Sequence, residues 1–258
     1  MNNDIFKLKH LPERTTKPRE NGLTMVMDKG LSLREAEDFL DVSGPHTDIV
    51  KLGFGTSFAT PNLKDKIDLY KSAGMKLYFG GTLFEAYVAR GQFEDYQRLL
   101  DHYGMNLAEV SDGSIELDHD EKCEYIHKLA KQVTVLSEVG SKDADKIIPP
   151  YQWIEWMEKE VQAGVWKVIA ESRESGTVGI FRKSGEIRSG LIAEIIRKIP
   201  KEMILWEAPQ KSQQVWFINL YGHNVNLGNI APNEVIPLET LRVGLRGDSF
   251  HFYLPENK

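Results

Sequence analysis

The chain has 258 residues, with 32 Lys and Arg against 38 Asp and Glu, a formal net charge of −6. An acidic balance argues against a nucleic-acid partner, which would need a basic stripe, and no apolar run reaches the length of a membrane span. The single Cys123 rules out an internal disulfide and a multi-cysteine metal site. The polar N-terminus lacks the apolar core of a secretory leader, so the reading is a reduced, cytoplasmic protein.

Residues 1–22 are polar and carry Lys7, Lys9, Arg14, Lys17 and Arg19 without any period, which predicts an N-terminal extension ahead of a single domain over 23–258. From there, short β-like runs recur: 24–28, 48–53, 76–81, 106–112, 133–140, 165–172, 203–208 and 224–229, with a helix-like stretch after each of the first seven. Thr60 before Pro61 predicts a helix N-cap, and Asp118 with Glu121 predicts a capping box. Trp153, Trp156, Met157 and Val161 form one apolar helix face, and Ile187, Leu191, Ile192 and Ile195 another. Such stripes pack a core. Eight β/α units in about 235 residues predict an α/β fold of the (β/α)8 TIM-barrel type with an N-terminal arm. A doubly wound open sheet is the competitor, but the turn after the first strand, MDKGLS, has no GxGxxG.

In a barrel the reactive groups sit where strands end and βα loops begin. Strand one ends at Asp28, and strands four to seven end at Glu109, Glu138, Glu171 and Glu207, each glutamate set between small or apolar neighbours. Carboxylates crowded into one mouth raise each other's pKa unless a cation compensates. A hard ion such as Mg²⁺ suits an all-carboxylate set better than zinc does, so these five residues are the candidate metal ligands. Lys51, Lys142, Arg173 and Arg182 are the candidate compensating side chains. Lys51 lies inside the apolar run IVKLGFG, where an unpaired ammonium would be costly. Lys142 follows Glu138 by four residues, in the loop where a mobile proton donor could stand. The structural alternative is that some glutamates only orient lysines and arginines.

For an anionic ligand the candidates are Arg173, Ser175 and Gly176 after strand six, Lys211 and Ser212 after strand seven, Gly228 and Asn229 at strand eight, and Arg246 near the end. Glycine lets backbone N–H groups approach an anion, and arginine meets its oxygens in bidentate fashion. No histidine pair has metal spacing and no GxSxG is present, so a Ser-His-Asp or Cys-His mechanism is unsupported.

The runs VKLGFGTS, LAEVSDGS, EVGSK, IAESRESG, WEAPQKSQQ, VNLGNI and LETLRVGLRGD resemble the phosphosulfolactate synthase family, from about Thr24 to Phe250. The resemblance implies the barrel, dependence on Mg²⁺, addition of sulfite to phosphoenolpyruvate giving (2R)-2-phospho-3-sulfolactate, and Lys142 as the proton donor. It also implies a product that feeds coenzyme M synthesis in archaea or supplies sulfolactate in similar bacterial proteins, and a homo-oligomer is compatible with it. Two other readings stand beside it. One is an aldolase-type barrel forming a Schiff base at Lys51 or Lys142 with a small phosphorylated substrate; the other is a non-catalytic anion-binding barrel.

Overall fold

The computed structural model describes residues 3–143, 148–173 and 175–255. Eight parallel strands alternate with helices: β1 Thr24–Asp28, β2 Ile49–Leu52, β3 Lys76–Phe79, β4 Leu107–Val110, β5 Thr134–Val139, β6 Lys167–Ala170, β7 Ile204–Glu207 and β8 Leu227–Ile230. They hydrogen-bond in the order β3-β2-β1-β8-β7-β6-β5-β4. The sheet is therefore a (β/α)8 barrel with one unlaced seam, between β3 and β4. Side chains stitch that seam instead. Glu109 at the end of β4 accepts a hydrogen bond from Gly81 N just beyond β3, at 2.7 Å. Gly81 has no room for a side chain there, since a Cβ would stand 2.1 Å from Ser111 Oγ and 2.4 Å from Glu109 Oε1.

Two cores result from the strand alternation. Outward residues such as Val26, Val50, Leu77, Ala108 and Val135 pack against the helices. Inward residues Met25, Ile49, Tyr78, Leu107, Leu136, Ile169 and Leu205, with Leu23, fill the barrel itself. Trp166 underlies this filling, with the ammonium groups of Lys76 and Lys167 5.2 Å and 5.1 Å from its ring centre.

Several local expectations are corrected. The helix after β2 begins at Leu63 with Asn62 as a left-handed N-cap, while Thr60 closes a separate short helix, Thr56–Ala59. Asp118 does cap its helix, accepting from Asp120 N and Glu121 N, but Glu121 accepts from the Tyr125 hydroxyl rather than completing a box. A helix, Val235–Arg242, also follows β8. The extension is tied down beneath the barrel. Arg14 pairs with Glu239 at 2.9 Å and Arg19 with Asp48 at 2.9 Å, both arginines being buried.

Candidate active site at the barrel mouth

One pleat above the apolar filling, the inward positions change character. Met27, Lys51, Glu109, Glu138, Glu171 and Glu207 each lie two residues beyond an inward apolar residue of the same strand. Together with Phe54, Gly81, Thr82, Lys142, Arg173 and Asn229 they line a pocket of about 220 Å³. The periodicity that packs the floor thus delivers the charges to the mouth.

Lys51 is the hub. Its Nζ lies 3.0 Å from Glu109, 3.4 Å from Glu138 and 3.3 Å from Glu207, and the residue is 5% exposed. Burial alone would push its pKa down, but Glu109, Tyr78, Glu207 and Glu138 outweigh it and hold the ammonium well above its ordinary range. Lys142 reaches in from the loop after β5, with its Nζ 3.2 Å from Glu85 and 3.3 Å from Glu138. Burial opposes its charge too, and Glu138, Glu171 and Glu85 overcome this, so its pKa is raised. A Schiff-base role needs a free amine; both lysines are instead held as ammonium ions by carboxylates.

The glutamates divide by their neighbours. Burial raises Glu138, but Lys142 and Lys51 more than offset it and keep its carboxyl well below the usual range. Glu207 accepts from Ser172 N at 2.9 Å, yet burial pushes its pKa up to about 7 against the pull of Lys51. Glu109 is raised as well, chiefly by burial. Glu171 is raised well above normal by burial and by Glu138 and Glu207. One of its oxygens accepts from Arg173 N at 2.5 Å, and its Oε2 is buried without a hydrogen-bond partner.

Glu138, Glu171 and Glu207 can each offer an oxygen such that all three lie within 4.8 Å of one another. Three hard oxygen donors, from buried carboxylates of which Glu171 keeps one oxygen without a hydrogen-bond partner, fit a small divalent cation of the Mg²⁺ kind. Asp28 stands apart. Strand pairing puts Met27 opposite Lys51 and Asp28 opposite Leu52, so Asp28 faces outward. There it pairs with buried Lys66 at 2.9 Å and accepts from Gly30 N, Leu31 N and the Tyr70 hydroxyl.

Of the anion candidates, Arg173 and Asn229 reach the mouth, both with positive φ, 53° and 55°. The others are engaged elsewhere. Gly176 donates its N–H to Arg173 O, and its own carbonyl accepts from Gln213 Nε2, whose amide fills the place of a side chain. Ser175 is exposed and bonds Thr177 Oγ1, while Lys211 pairs with Asp248 and Ser212 is exposed. Gly228 makes room for Met25, whose Cε would lie 2.6 Å from a Cβ there. Arg246 is half-buried and does not line the pocket. Arg182, exposed and paired with Glu186, lines a separate cleft of about 360 Å³ with Lys183 and Arg188.

The sequence reading missed Glu85. Buried on the helix Gly81–Val88, it accepts from Ser111 Oγ at 2.5 Å, Gly113 N at 3.0 Å and Ser114 N at 3.1 Å, besides holding Lys142. It lies between Phe84 and Ala86, a context like that of the four strand-end glutamates. Its place one turn into a helix, rather than at a strand end, is what hid it.

Comparison with known proteins adds an independent line. Residues 12–248 match the family described as (2R)-phospho-3-sulfolactate synthase (ComA), a span that takes in the tethered second half of the extension. A phosphosulfolactate synthase of Methanothermobacter thermautotrophicus is 41% identical over 244 residues, covering 92% of this chain and 95% of the relative. Those of Bacillus subtilis (41% over 243 residues; 93% and 96%) and Methanocaldococcus jannaschii (43% over 238 residues; 90% and 94%) are similar to the same extent. Among solved structures, 3-hexulose-6-phosphate synthase from Salmonella typhimurium superposes with a TM-score of 0.59 at 14% identity, covering 87% of this chain and 100% of that one. At that identity the likeness is one of fold alone.

Proposed function

The chain belongs to the (2R)-phospho-3-sulfolactate synthase family, whose members are carbon–sulfur lyases, and we propose that its barrel mouth adds sulfite to phosphoenolpyruvate with Mg²⁺ held by Glu138, Glu171 and Glu207. The observation that carries the reading is the trio of buried carboxylates clustered beside two lysines at the strand ends. When bound, the metal would supply Lewis-acid stabilisation to the substrate carboxylate as negative charge develops on it.

The chain's own groups supply the rest. Arg173 and Asn229 face the pocket, where a guanidinium and an amide can bind phosphate and carboxylate oxygens. Lys51, fixed by three glutamates, provides a permanent positive charge beneath an anionic substrate. As the sulfur of sulfite bonds to C3, the electrons of the C2–C3 double bond move toward C2 and the carboxylate. The Lys142 ammonium then gives its proton to C2, completing a C–H bond and leaving a neutral amine that solvent reprotonates. Delivery from one side sets the R configuration. Glu85 and Glu138 hold that ammonium between them, so the donor stands at one place over the mouth.

The lone Cys123, and the lack among the described residues of any helix long and apolar enough to cross a membrane, fit a cytoplasmic enzyme. The test is incubation with phosphoenolpyruvate, sulfite and Mg²⁺, followed by mass spectrometry. Phosphosulfolactate should form with Mg²⁺ or Mn²⁺ and cease to form in EDTA. No product under these conditions overturns the reading, and full turnover of metal-free enzyme overturns the metal assignment.

A further inference from the structure

Outside the barrel wall lies a buried lysine that the reaction scheme does not use. Lys122, on the helix His119–Leu129, is 1% exposed. Its Nζ has three partners: Asp112 Oδ1 at 2.8 Å, Glu160 Oε1 at 2.8 Å, and the backbone carbonyl of Glu138 at 2.6 Å. Asp112 lies two residues beyond the end of β4, in the loop that follows Glu109. Glu160 is fully buried on the helix Pro150–Ala163. One ammonium therefore joins the ends of β4 and β5, and it does so at the backbone of a mouth glutamate. Glu138 is held at both ends, its carboxylate by Lys51 and Lys142 from inside and its carbonyl by Lys122 from outside.

A buried ion pair is a poor stabiliser, because desolvation offsets most of the attraction, and an apolar pair of similar size often serves stability as well. What the ammonium does that an apolar side chain cannot is fix the direction of a carbonyl and a loop carboxylate at once. Reacting groups displaced by about 1 Å lose roughly 10²-fold in rate. We propose that Lys122 is a positioning residue for the reaction: it sets Glu138, and through Asp112 the loop beyond Glu109, in the geometry the mouth requires.

This rests on the reading of the mouth given above, so wild-type turnover of phosphoenolpyruvate and sulfite is measured first; its absence defeats that reading and not the role of Lys122. Three variants then decide the role: Lys122→Met, Glu160→Gln, and the two combined. Lys122→Met strands the buried Glu160 charge and should lower Tm. The double variant removes that charge, leaves Asp112 to solvent at 22% side-chain exposure, and should recover most of the lost Tm. Turnover is taken per folded molecule, below each variant's transition, so an unfolded fraction cannot stand in for misplacement. The expectation is that the double variant keeps a kcat roughly 10- to 100-fold below wild type with KM for phosphoenolpyruvate changed much less. Glu160→Gln alone, which leaves Lys122 its bonds to Asp112 and Glu138, should keep wild-type kcat. A double variant with wild-type kcat per folded molecule overturns the proposal and makes Lys122 purely structural. So does a Glu160→Gln variant that loses as much kcat as the double.

Discussion

The barrel interior holds two layers built by the same strands, one pleat apart. In the lower layer Met25, Ile49, Leu107, Leu136, Ile169 and Leu205 satisfy one another through contact alone, at 0–1% exposure. In the upper layer the next inward residues are Met27, Lys51 and four glutamates. There the contacts are ion pairs to Lys51 and Lys142 and backbone N–H donors to Glu109, Glu171 and Glu207, and Glu171 keeps a buried oxygen without a hydrogen-bond partner. The lower layer makes the barrel. The upper layer is strained electrostatically, and that strain is the capacity to bind a cation and anionic substrates.

The contrast predicts that changes in the upper layer act on turnover and changes in the lower layer on stability. The largest effect is expected at Lys142. Lys142→Ala should cut kcat per folded molecule by roughly 10²–10⁴-fold, the worth of a general acid, with residual product of reduced chiral purity. Lys142→Arg should not rescue, since the larger planar guanidinium cannot take the ammonium's place between Glu85 and Glu138. Near-wild-type rate with pure R product in Lys142→Ala would move the proton donor elsewhere. Leu136→Ala, one pleat below Glu138 on the same strand, should do the opposite. It should cost about 2–5 kcal/mol in denaturant unfolding through loss of buried volume, with kcat per folded molecule retained. Equal loss of kcat there would erase the distinction between the layers.

Arg173 stands at the exposed rim of the upper layer. Arg173→Ala should raise KM for phosphoenolpyruvate roughly tenfold, the scale of a charge-assisted contact that solvent partly screens. Unchanged KM would remove it from the substrate's anion contacts.

The smallest effect is a pH dependence of stability in metal-free enzyme. Glu207 has its pKa raised from 4.5 to about 7, and Glu171 is raised in the same direction. The folded state then binds more protons than the unfolded one, so unfolding free energy falls as pH rises. For Glu207 the loss should run from about pH 4.5 to about pH 7, and Glu171, shifted the same way, adds to it. Saturating Mg²⁺ should flatten that slope in thermal scans, and a slope that Mg²⁺ leaves untouched would count against the carboxylate trio as its site. Leu136→Ala should shift the whole curve without changing its slope.

Much of this was legible in the residues. The eight strands, their alternation with helices and the glutamates at four strand ends follow from patterns within a few residues. The errors have local causes too. Asp28 closes a β-run as the glutamates do, and only pairing of Met27 with Lys51 shows that it faces the helices. Gly176 and Gly228 read as openings for an anion, yet they make room for Gln213 and Met25. Lys211 lies after β7 as expected, and Asp248, far along the chain, takes its charge.

By itself the sequence determined the period of each strand and which residues share a face, because side-chain alternation is a property of the backbone. Closure of the barrel decided which face turns inward and which charges meet. Lys51 lies 87 residues from Glu138 and 156 from Glu207, and Glu85 lies 57 from Lys142. No local pattern specifies such partners. They are brought within hydrogen-bonding distance only when strands at opposite ends of the chain enclose one interior, and there burial turns a row of ordinary glutamates into a site.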